Sequence, residues 1–520
     1  MGDIYSGPKY SEAEIKEMVA QTLPVSQKTI VKEEKGDASL FKKYGLISLL
    51  FSIVYTFCLY KNHSGITYPI FMAMTLGLLH LLRKKDGLSL ISSKNGGKAL
   101  GIFHAVSLML LSIHKCMTTS GSLLALDAIA IFLLFFSFVL YLYIDTTGWD
   151  IAGWLLGILL SIVLPIGHLF NPIYDMNAWV KNRKGSLDDS KKQTFAAVGI
   201  GVICAVPALL VIISLLRSAD IVFNRLLEKF FESIHLPDNF WDIIGIIFTL
   251  LFSFLAAYLI PFVLEKGDVK VKAKGEGTEN PVIAITFTAI IGSVYLVFCL
   301  IQVMFLFTGT LSLPAGYTYA EYAHEGFYQL LAVCLINIVM VSVCNRAFKS
   351  SKILTALLVI IAACTYIMIA SSAMRMLLYI GVYHLTFLRL FVLWFLAVLC
   401  IWLAFLIINM FNRSFPVFKA CMVAITVAYI GFVFSNPDYQ IAKYDLAAVE
   451  HGQIDEYDSV REYILNNLST DAVPALATNE KLAHEYGLYL TSRYRYNGDN
   501  HEGFRHFNFS YYRAQKLLKK

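Results

Sequence analysis

Charge is what this chain has least of. Asp, Glu, Lys and Arg together supply 15% of its 520 residues, against about a quarter in an ordinary soluble domain. With 57% hydrophobic residues arranged in long unbroken blocks, the composition points into a bilayer and away from a water-soluble fold. Other absences narrow the function. There is no GxxxxGK[ST] phosphate loop, no HExxH zinc motif and no GxSxG nucleophile elbow, which argues against an ATP-driven pump or a zinc protease. The nine cysteines form no CxxC pair and no metal-type spacing, and all lie in or beside apolar segments. They read as buried packing thiols, and neither a metal nor another cofactor is expected. The opening stretch is polar and charged, with no cleavable signal peptide. The net charge of +6 sits mostly in short loops, so it is an orientation signal and no nucleic-acid footprint.

What is present is a series of apolar segments, each near the roughly 20 residues that a spanning helix needs. They run over 44–60, 65–82, 100–114, 121–144, 151–170, 194–216, 243–264, 282–307, 327–344, 353–372, 387–411 and 417–434. Residues 1–43 read as a largely disordered cytoplasmic tail, 44–434 as a transmembrane helical domain, and 435–520 as an extracytoplasmic α-helical region. The fold class is therefore all-α and polytopic, with a small helical cap. In that cap Ile454, Tyr457, Val460, Ile464 and Leu468 recur near one helix face, and Leu476, Leu482, Tyr486 and Leu490 do so less regularly.

Loop charge sets the orientation. RKKDGLSLISSKNGGK, KNRKGSLDDSKK, EKGDVKVKAKGEG, NRAFKSSK and NRSFPVFK are basic, whereas DTTGWD and TGTLSLPAGYTYAEYAHEG lack Lys and Arg. Basic loops belong in the cytoplasm. Three apolar segments separate Arg83 from Lys181, and an odd number of crossings cannot return the chain to one side. Segment 151–170, with Pro165, His168, Trp149 and Trp154 in or beside it, is expected to be interfacial or re-entrant. Segment 100–114, with His104, is the alternative. Either choice leaves about 11 spans, a cytoplasmic N-terminus and an extracytoplasmic C-terminus.

Several polar residues fall on the side assigned as outer. Glu321, His324 and Glu325 share a helix face at i, i+3, i+4. Such a set can ligate metal only with further carboxylates from partner helices, and otherwise faces water. Arg375 and Tyr379 share a face, with His384 and Arg389 just beyond. Paired with Glu321 or Glu325, the arginines either fix helix packing or form an anion site. Asp127 is the one acid well inside an apolar block. It is a proton- or cation-relay candidate, or a carboxyl that snorkels or is hydrogen-bonded in neutral form. His104, His168, Asn337, Gln302 and Asn409 read as interhelical hydrogen-bond partners. Pro207 and Pro261 sit in corresponding parts of two neighbouring segments, where they either kink a helix or line a cavity. After Leu216, Ile221, Val222, Leu226, Phe230 and Phe231 interleave with charges as in a surface helix.

The strings TFCLYKNHSGITYPIF, PALLVIISLLRSADIVF, GYTYAEYAHEGFYQL, NPDYQIAKYDL, LSTDAVPAL and FRHFNFSYYRAQ resemble an uncharacterised bacterial polytopic membrane family, catalogued as domain of unknown function 4153, and its sister 4173. The likeness runs from about residue 40 to the end. The family usually carries Arg where this chain has His324. The resemblance implies a bacterial cytoplasmic-membrane protein and supplies no reaction. The first expectation is an integral membrane protein that handles or senses a small molecule or lipid headgroup at the outer leaflet, without ATP. Its partners would be the bilayer and an anionic solute or headgroup. A membrane-embedded enzyme acting on a lipid-linked substrate is the alternative, with Glu321, His324 or Glu325 as acid or base. A structural or signalling partner protein is the third reading.

Overall fold

A helix satisfies its own backbone hydrogen bonds within one segment, which is what an apolar run needs inside a bilayer. A computed structural model of the protein describes residues 36–94, 97–183, parts of 209–226, 239–271, 277–307, 319–452, 457–497 and 503–518. Side chains are described for these except 181, 183, 305–307, 319–325, 457 and 491–497. In chain order the helices are α1 (Ala38–Leu59), α2 (Thr67–Lys85), α3 (Ala99–Met117), α4 (Gly121–Tyr143), α5 (Ile151–Val163, continued as a 3-10 turn over Leu164–His168), α6 (Asn171–Arg183) and α7 (Phe240–Lys266). Then come α8 (Pro281–Phe307), α9 (Tyr319–Ala347), α10 (Lys352–Val382), α11 (Phe387–Phe411) and α12 (Val417–Phe434). The cap holds α13 (Pro437–Glu450), α14 (Tyr457–Asn467), α15 (Val473–Leu476), α16 (Glu480–Asn497) and α17 (Phe509–Leu518). Among the described residues there is no strand, only an isolated bridge between Glu279 and Phe348.

Among the described residues, ten helices are long and apolar enough to cross a membrane: α1, α3, α4, α5 with its 3-10 turn, and α7 through α12. Both segments weighed as non-crossing, 100–114 and 151–170, are among them. Helix α2 ends on Arg83, Lys84 and Lys85 and is not. Residues 194–216 lie almost wholly outside the described residues. The chain is thus an all-α, multi-pass integral membrane protein.

Local chemistry starts and stops these helices. Asp150 Oδ1 accepts the Gly153 N–H at 2.8 Å and begins α5, and Asn280 accepts from Val282 at 3.0 Å ahead of Pro281 at the start of α8. Helix α7 closes at Gly267, whose φ of +76° is costly for a residue with a Cβ. Pro261 lies inside α7, which runs on unbroken to Lys266. Pro207 lies outside the described residues.

Two compact units form. Residues 1–46 with 168–236 make one, and residues 47–167 with 237–520 make the other. In the first, the Asp37 N–H donates to Asp175 at 2.7 Å and Phe41 packs on Trp179. Ile221, Val222 and Leu226 are exposed there on a short helical stretch. In the second, α10 packs against α8, α9 and α11, while α3 packs against α2, α4 and α12. One continuous apolar core joins Leu358, Ile361 and Leu399 of the spans to Ile441, Val460, Ile464, Leu476, Leu482 and Tyr486 of the cap.

The outward surface is apolar. On α8, Ile283, Ile290, Val297 and Met304 recur every seventh residue and are 58–64% exposed, a stripe that would promote aggregation in water and suits lipid. Polar side chains within the spans bond back to their own helix or to a neighbour. Ser112, Ser161 and Ser372 donate to carbonyls one turn earlier. Between helices, His104 lies 2.9 Å from Ser137, Asn337 donates to Thr365 at 3.0 Å, Ser371 to Gln302 at 2.7 Å and Asn345 to Asn409 at 2.8 Å. His168 bonds locally, to Asn171.

The loops of the second unit sort into two faces. On one, Lys349 N–H donates to Glu279 O, Arg413 to Phe348 O, and Arg346 pairs with Asp150 at 2.8 Å. The basic loops after α2, α7, α9 and α11 follow helices that end on this face. So does DTTGWD, whose Asp150 answers Arg346. Arg83 is more than an orientation charge. It is buried, donating to Ser89 O, Ser92 O and Leu142 O at 2.7–3.0 Å, with its guanidinium over the Tyr143 ring. Arg83→Gln should orphan several of these carbonyls and destabilise the protein by roughly 2–4 kcal/mol, on the scale of lost buried hydrogen bonds. Arg83→Lys should recover less than half of that, because an ammonium lacks the planar fork. Thermal unfolding of detergent-purified variants measures both, and full recovery by Lys would refute the geometric argument.

Candidate functional site

The other face, under the cap, collects buried polar groups from distant parts of the chain. Helices α3 and α4 form an antiparallel pair joined by the short turn Thr118–Thr119–Ser120. That turn brings the last turn of α3 opposite the second turn of α4. Asp127 is thereby enclosed, at 0% exposure, with His114 Nδ1 2.6 Å from its Oδ2 and the Tyr429 hydroxyl of α12 donating to its Oδ1 at 2.8 Å. His114 packs on Phe434, and Tyr429 on Trp394. Lys115, also buried, donates to Leu124 O at 3.2 Å and stands over the Tyr68 ring. A carboxylate on Nδ1 leaves Nε2 as the imidazole nitrogen able to exchange a proton.

One helical turn beyond His114, the α3–α4 turn meets the cap. Thr118 donates to Asp471 Oδ2, and the Thr119 N–H reaches Oδ1 at 3.4 Å. The Thr119 and Thr470 hydroxyls are 2.6 Å apart, those of Thr470 and Ser510 2.7 Å, and Asn508 donates to Thr118 O at 2.8 Å. Asp438, at the start of α13, accepts the Ser469 N–H at 3.0 Å. The loop after α1 joins the same seam, since Asn62 donates to Arg505 O and Ile66 N–H to Phe507 O. Beside Asp471 opens a cavity of about 130 Å³, lined by Met117, Asn436, Thr470, Asp471, Pro474, Phe509, Ser510 and Arg513.

Three of the residues read from sequence as an outer cluster come together. The Arg389 guanidinium lies 4.1 Å from the Tyr379 ring centroid and donates to His384 O, and the His384 ring packs on Tyr463. Arg375 packs its guanidinium against Gly326, in space that any Cβ there would need. Glu321, His324 and Glu325 fall at the start of α9, but their side chains lie outside the described residues. Asp445, absent from the sequence reading, closes this group. Its Oδ1 accepts the Leu385 N–H at 2.7 Å, while Oδ2 is buried without a hydrogen-bond donor. Tyr463 accepts the Phe387 N–H at 2.9 Å. Among the described residues, no three His, Cys, Asp or Glu side chains gather as metal ligands. Seven of the eight described cysteines are buried, and all eight are unpaired.

The arrangement can store protons. Burial pushes Asp445 up to about 7. Burial, with the Asp471 carboxylate beside it, pushes Asp438 up to about 6, and burial raises Asp471 as well. The first two therefore hold a proton more tightly folded than unfolded, where each titrates near 3.8. Their stabilising contribution is complete below about pH 4 and is lost as pH rises through about 6 and 7. The cap should be more stable near pH 5 than near pH 8. Asp445→Asn keeps an acceptor for Leu385 and should flatten that dependence at its upper end. Thermal unfolding across about pH 5–8 reads the slope, and an unaltered slope in the variant would remove Asp445 as its source.

The sequence reading named Asp127 but missed His114, Tyr429 and Asp471 as its company. The available signal was the set of strings that carry the family likeness. TFCLYKNHSGITYPIF holds Asn62 and Ile66, NPDYQIAKYDL holds Asp438 and Asp445, LSTDAVPAL holds Thr470 and Asp471, and FRHFNFSYYRAQ holds Asn508 and Ser510. All four meet under the cap. No curated protein and no solved structure matches the chain. Residues 105–479, most of its length and most of this polar seam, match the family model described as Domain of unknown function (DUF4153), and the protein belongs to that family.

Proposed function

We propose that the protein handles or senses a small solute or lipid headgroup at the cap-side face without ATP, using proton exchange at the His114–Asp127 pair. One observation carries this reading: a carboxyl fully enclosed between spans is held by an imidazole on one oxygen and a phenol on the other. Ionisable groups at such depth are costly and tend to serve proton or ion pathways. Support for a link to the cap comes from Thr118, one turn from His114 and bonded to Asp471. A change of charge at His114 alters the field at the carboxylate that seats the cap.

The test is made in proteoliposomes loaded with a pH-sensitive dye and challenged with amine, phosphate and carboxylate solutes. An active solute should change the internal pH signal, and Asp127→Asn or His114→Gln should reduce that response at least tenfold while thermal unfolding confirms a folded protein. Unaltered responses in both variants would end the proton assignment. A parent protein that shows neither a dye signal nor a thermal shift with any solute or headgroup would end the reading as a whole.

The cap-side face is proposed to be extracytoplasmic, with the basic loops in the cytoplasm. A cysteine replacing Ser492 should react with a membrane-impermeant thiol reagent in intact cells, and one replacing Ser186 should not. The opposite labelling pattern would invert the assignment.

A further inference from the structure

The cavity beside Asp471 lies level with the ends of two candidate spans. Met117, the last residue of α3, lines it, and so does Asn436, two residues past the end of α12. Both mark where spans leave the hydrocarbon. The neighbouring segment is held at the same level by hydrogen bonds to span-ending loops: Phe507 O accepts from Ile66, and Asn508 donates to Thr118 O. Its outward side chains are aromatic and basic, with Phe504, Phe509 and Tyr512 exposed next to Arg513, while Arg505 turns inward to donate to Tyr60 O at 2.6 Å. Such a mixture suits the membrane–water boundary.

The lining is divided by chemistry. Inside are the buried Asp471 carboxylate and the Thr470 and Ser510 hydroxyls; at the rim is the exposed Arg513; toward the bilayer are Met117 and Phe509, both exposed. Asp471 accepts from Thr118 and the Thr119 N–H. A carboxylate has about four acceptor positions, which leaves room for a donor from the cavity. A ligand matching this order carries a cation inward, an anion at the rim and an alkyl chain toward lipid. At about 130 Å³ the space is close to that of an engineered cavity of about 150 Å³ that holds benzene, room for a headgroup and no more.

We propose that this cavity binds the primary-amine headgroup of a membrane phospholipid, with the ammonium at Asp471, the phosphate at Arg513 and the acyl chains along Met117 and Phe509. The proposal rests on the reading above in one respect, naming the class of headgroup, and uses residues distinct from His114 and Asp127. A trimethylated amine has no N–H to give Asp471 and is too bulky for the space. An anionic headgroup without an amine would place negative charge against the carboxylate.

Thermal unfolding of the full-length protein in detergent, titrated with phosphatidylethanolamine, phosphatidylcholine, phosphatidylglycerol or soluble phosphoethanolamine, tests it through ligand-dependent stabilisation. Phosphatidylethanolamine should bind at least tenfold more tightly than the other three, and Arg513→Gln, at an exposed rim position, should weaken that binding at least tenfold. Asp471→Asn should do the same if it folds, and the Arg513 variant decides the matter if it does not. Equal binding of phosphatidylcholine or phosphatidylglycerol would overturn the proposal. Equal binding of soluble phosphoethanolamine would overturn the lipid as its source, and undiminished phosphatidylethanolamine binding in Arg513→Gln would overturn the site. Asp127→Asn should keep the preference for phosphatidylethanolamine, so loss of the headgroup site and loss of the proton pair give separate results.

Discussion

Asp471 reaches from the cap into the turn between two spans, where Thr118 and the Thr119 amide hold its carboxylate. That contact fixes more than its own residues. The turn has three residues, and its tightness is what sets α3 and α4 back to back and brings His114 against Asp127. Loosening the turn would give both side chains room to separate. Burial and the same carboxylate charge raise Asp438, which in turn seats Ser469 at the start of the segment carrying Asp471. The seam is therefore closed on itself, each member positioned by another.

The two faces of the second unit solve the burial of polar groups differently. On the basic face, arginines fan their donors over backbone carbonyls, as Arg83 does with three of them. Guanidinium stays charged at any ordinary pH, so Arg83 holds its three carbonyls whatever the proton concentration. Under the cap the buried charges are carboxyls and the Lys115 ammonium, and the carboxyls are met by hydroxyls, amides and an imidazole. Hydroxyls donate or accept as required, so Thr118, Thr470 and Ser510 can serve either a charged or a neutral acid. One face is a permanent clamp, and the other can change state without being taken apart.

How much of this was legible in the sequence differs by residue. Spans were readable because hydrophobicity over about 20 residues is a one-dimensional property, and the cap's Val460, Ile464 and Leu468 announced a buried face by spacing alone; all three are buried. Asp127 was visible because an acid in an apolar run is rare. His114 and Tyr429 were not, since nothing in their own neighbourhoods says that they meet; Tyr429 is 302 positions from Asp127. Asp445 and Asp471 sit in ordinary amphipathic stretches, where an acid reads as solvated. Arg83 misled for the opposite reason, because a basic loop is explained well enough by topology that no structural role is sought. Tyr379, His384 and Arg389 lie close in the chain, so their meeting was within reach of local spacing, whereas their opposite number Asp445 was not.

Thermodynamic linkage constrains what the seam can do if both proposals hold. His114 acts electrostatically on Asp471, and Asp471 lines the cavity. Any ligand that brings an ammonium to Asp471 changes the charge that His114 experiences. By reciprocity, the factor by which a ligand in the cavity alters events at the pair equals the factor by which the pair alters ligand affinity. A cation at either place raises the potential at the other, so an ammonium at Asp471 and added positive charge at the pair oppose each other. The coupling needs no moving domain, only the one helical turn of α3 that separates His114 from Thr118.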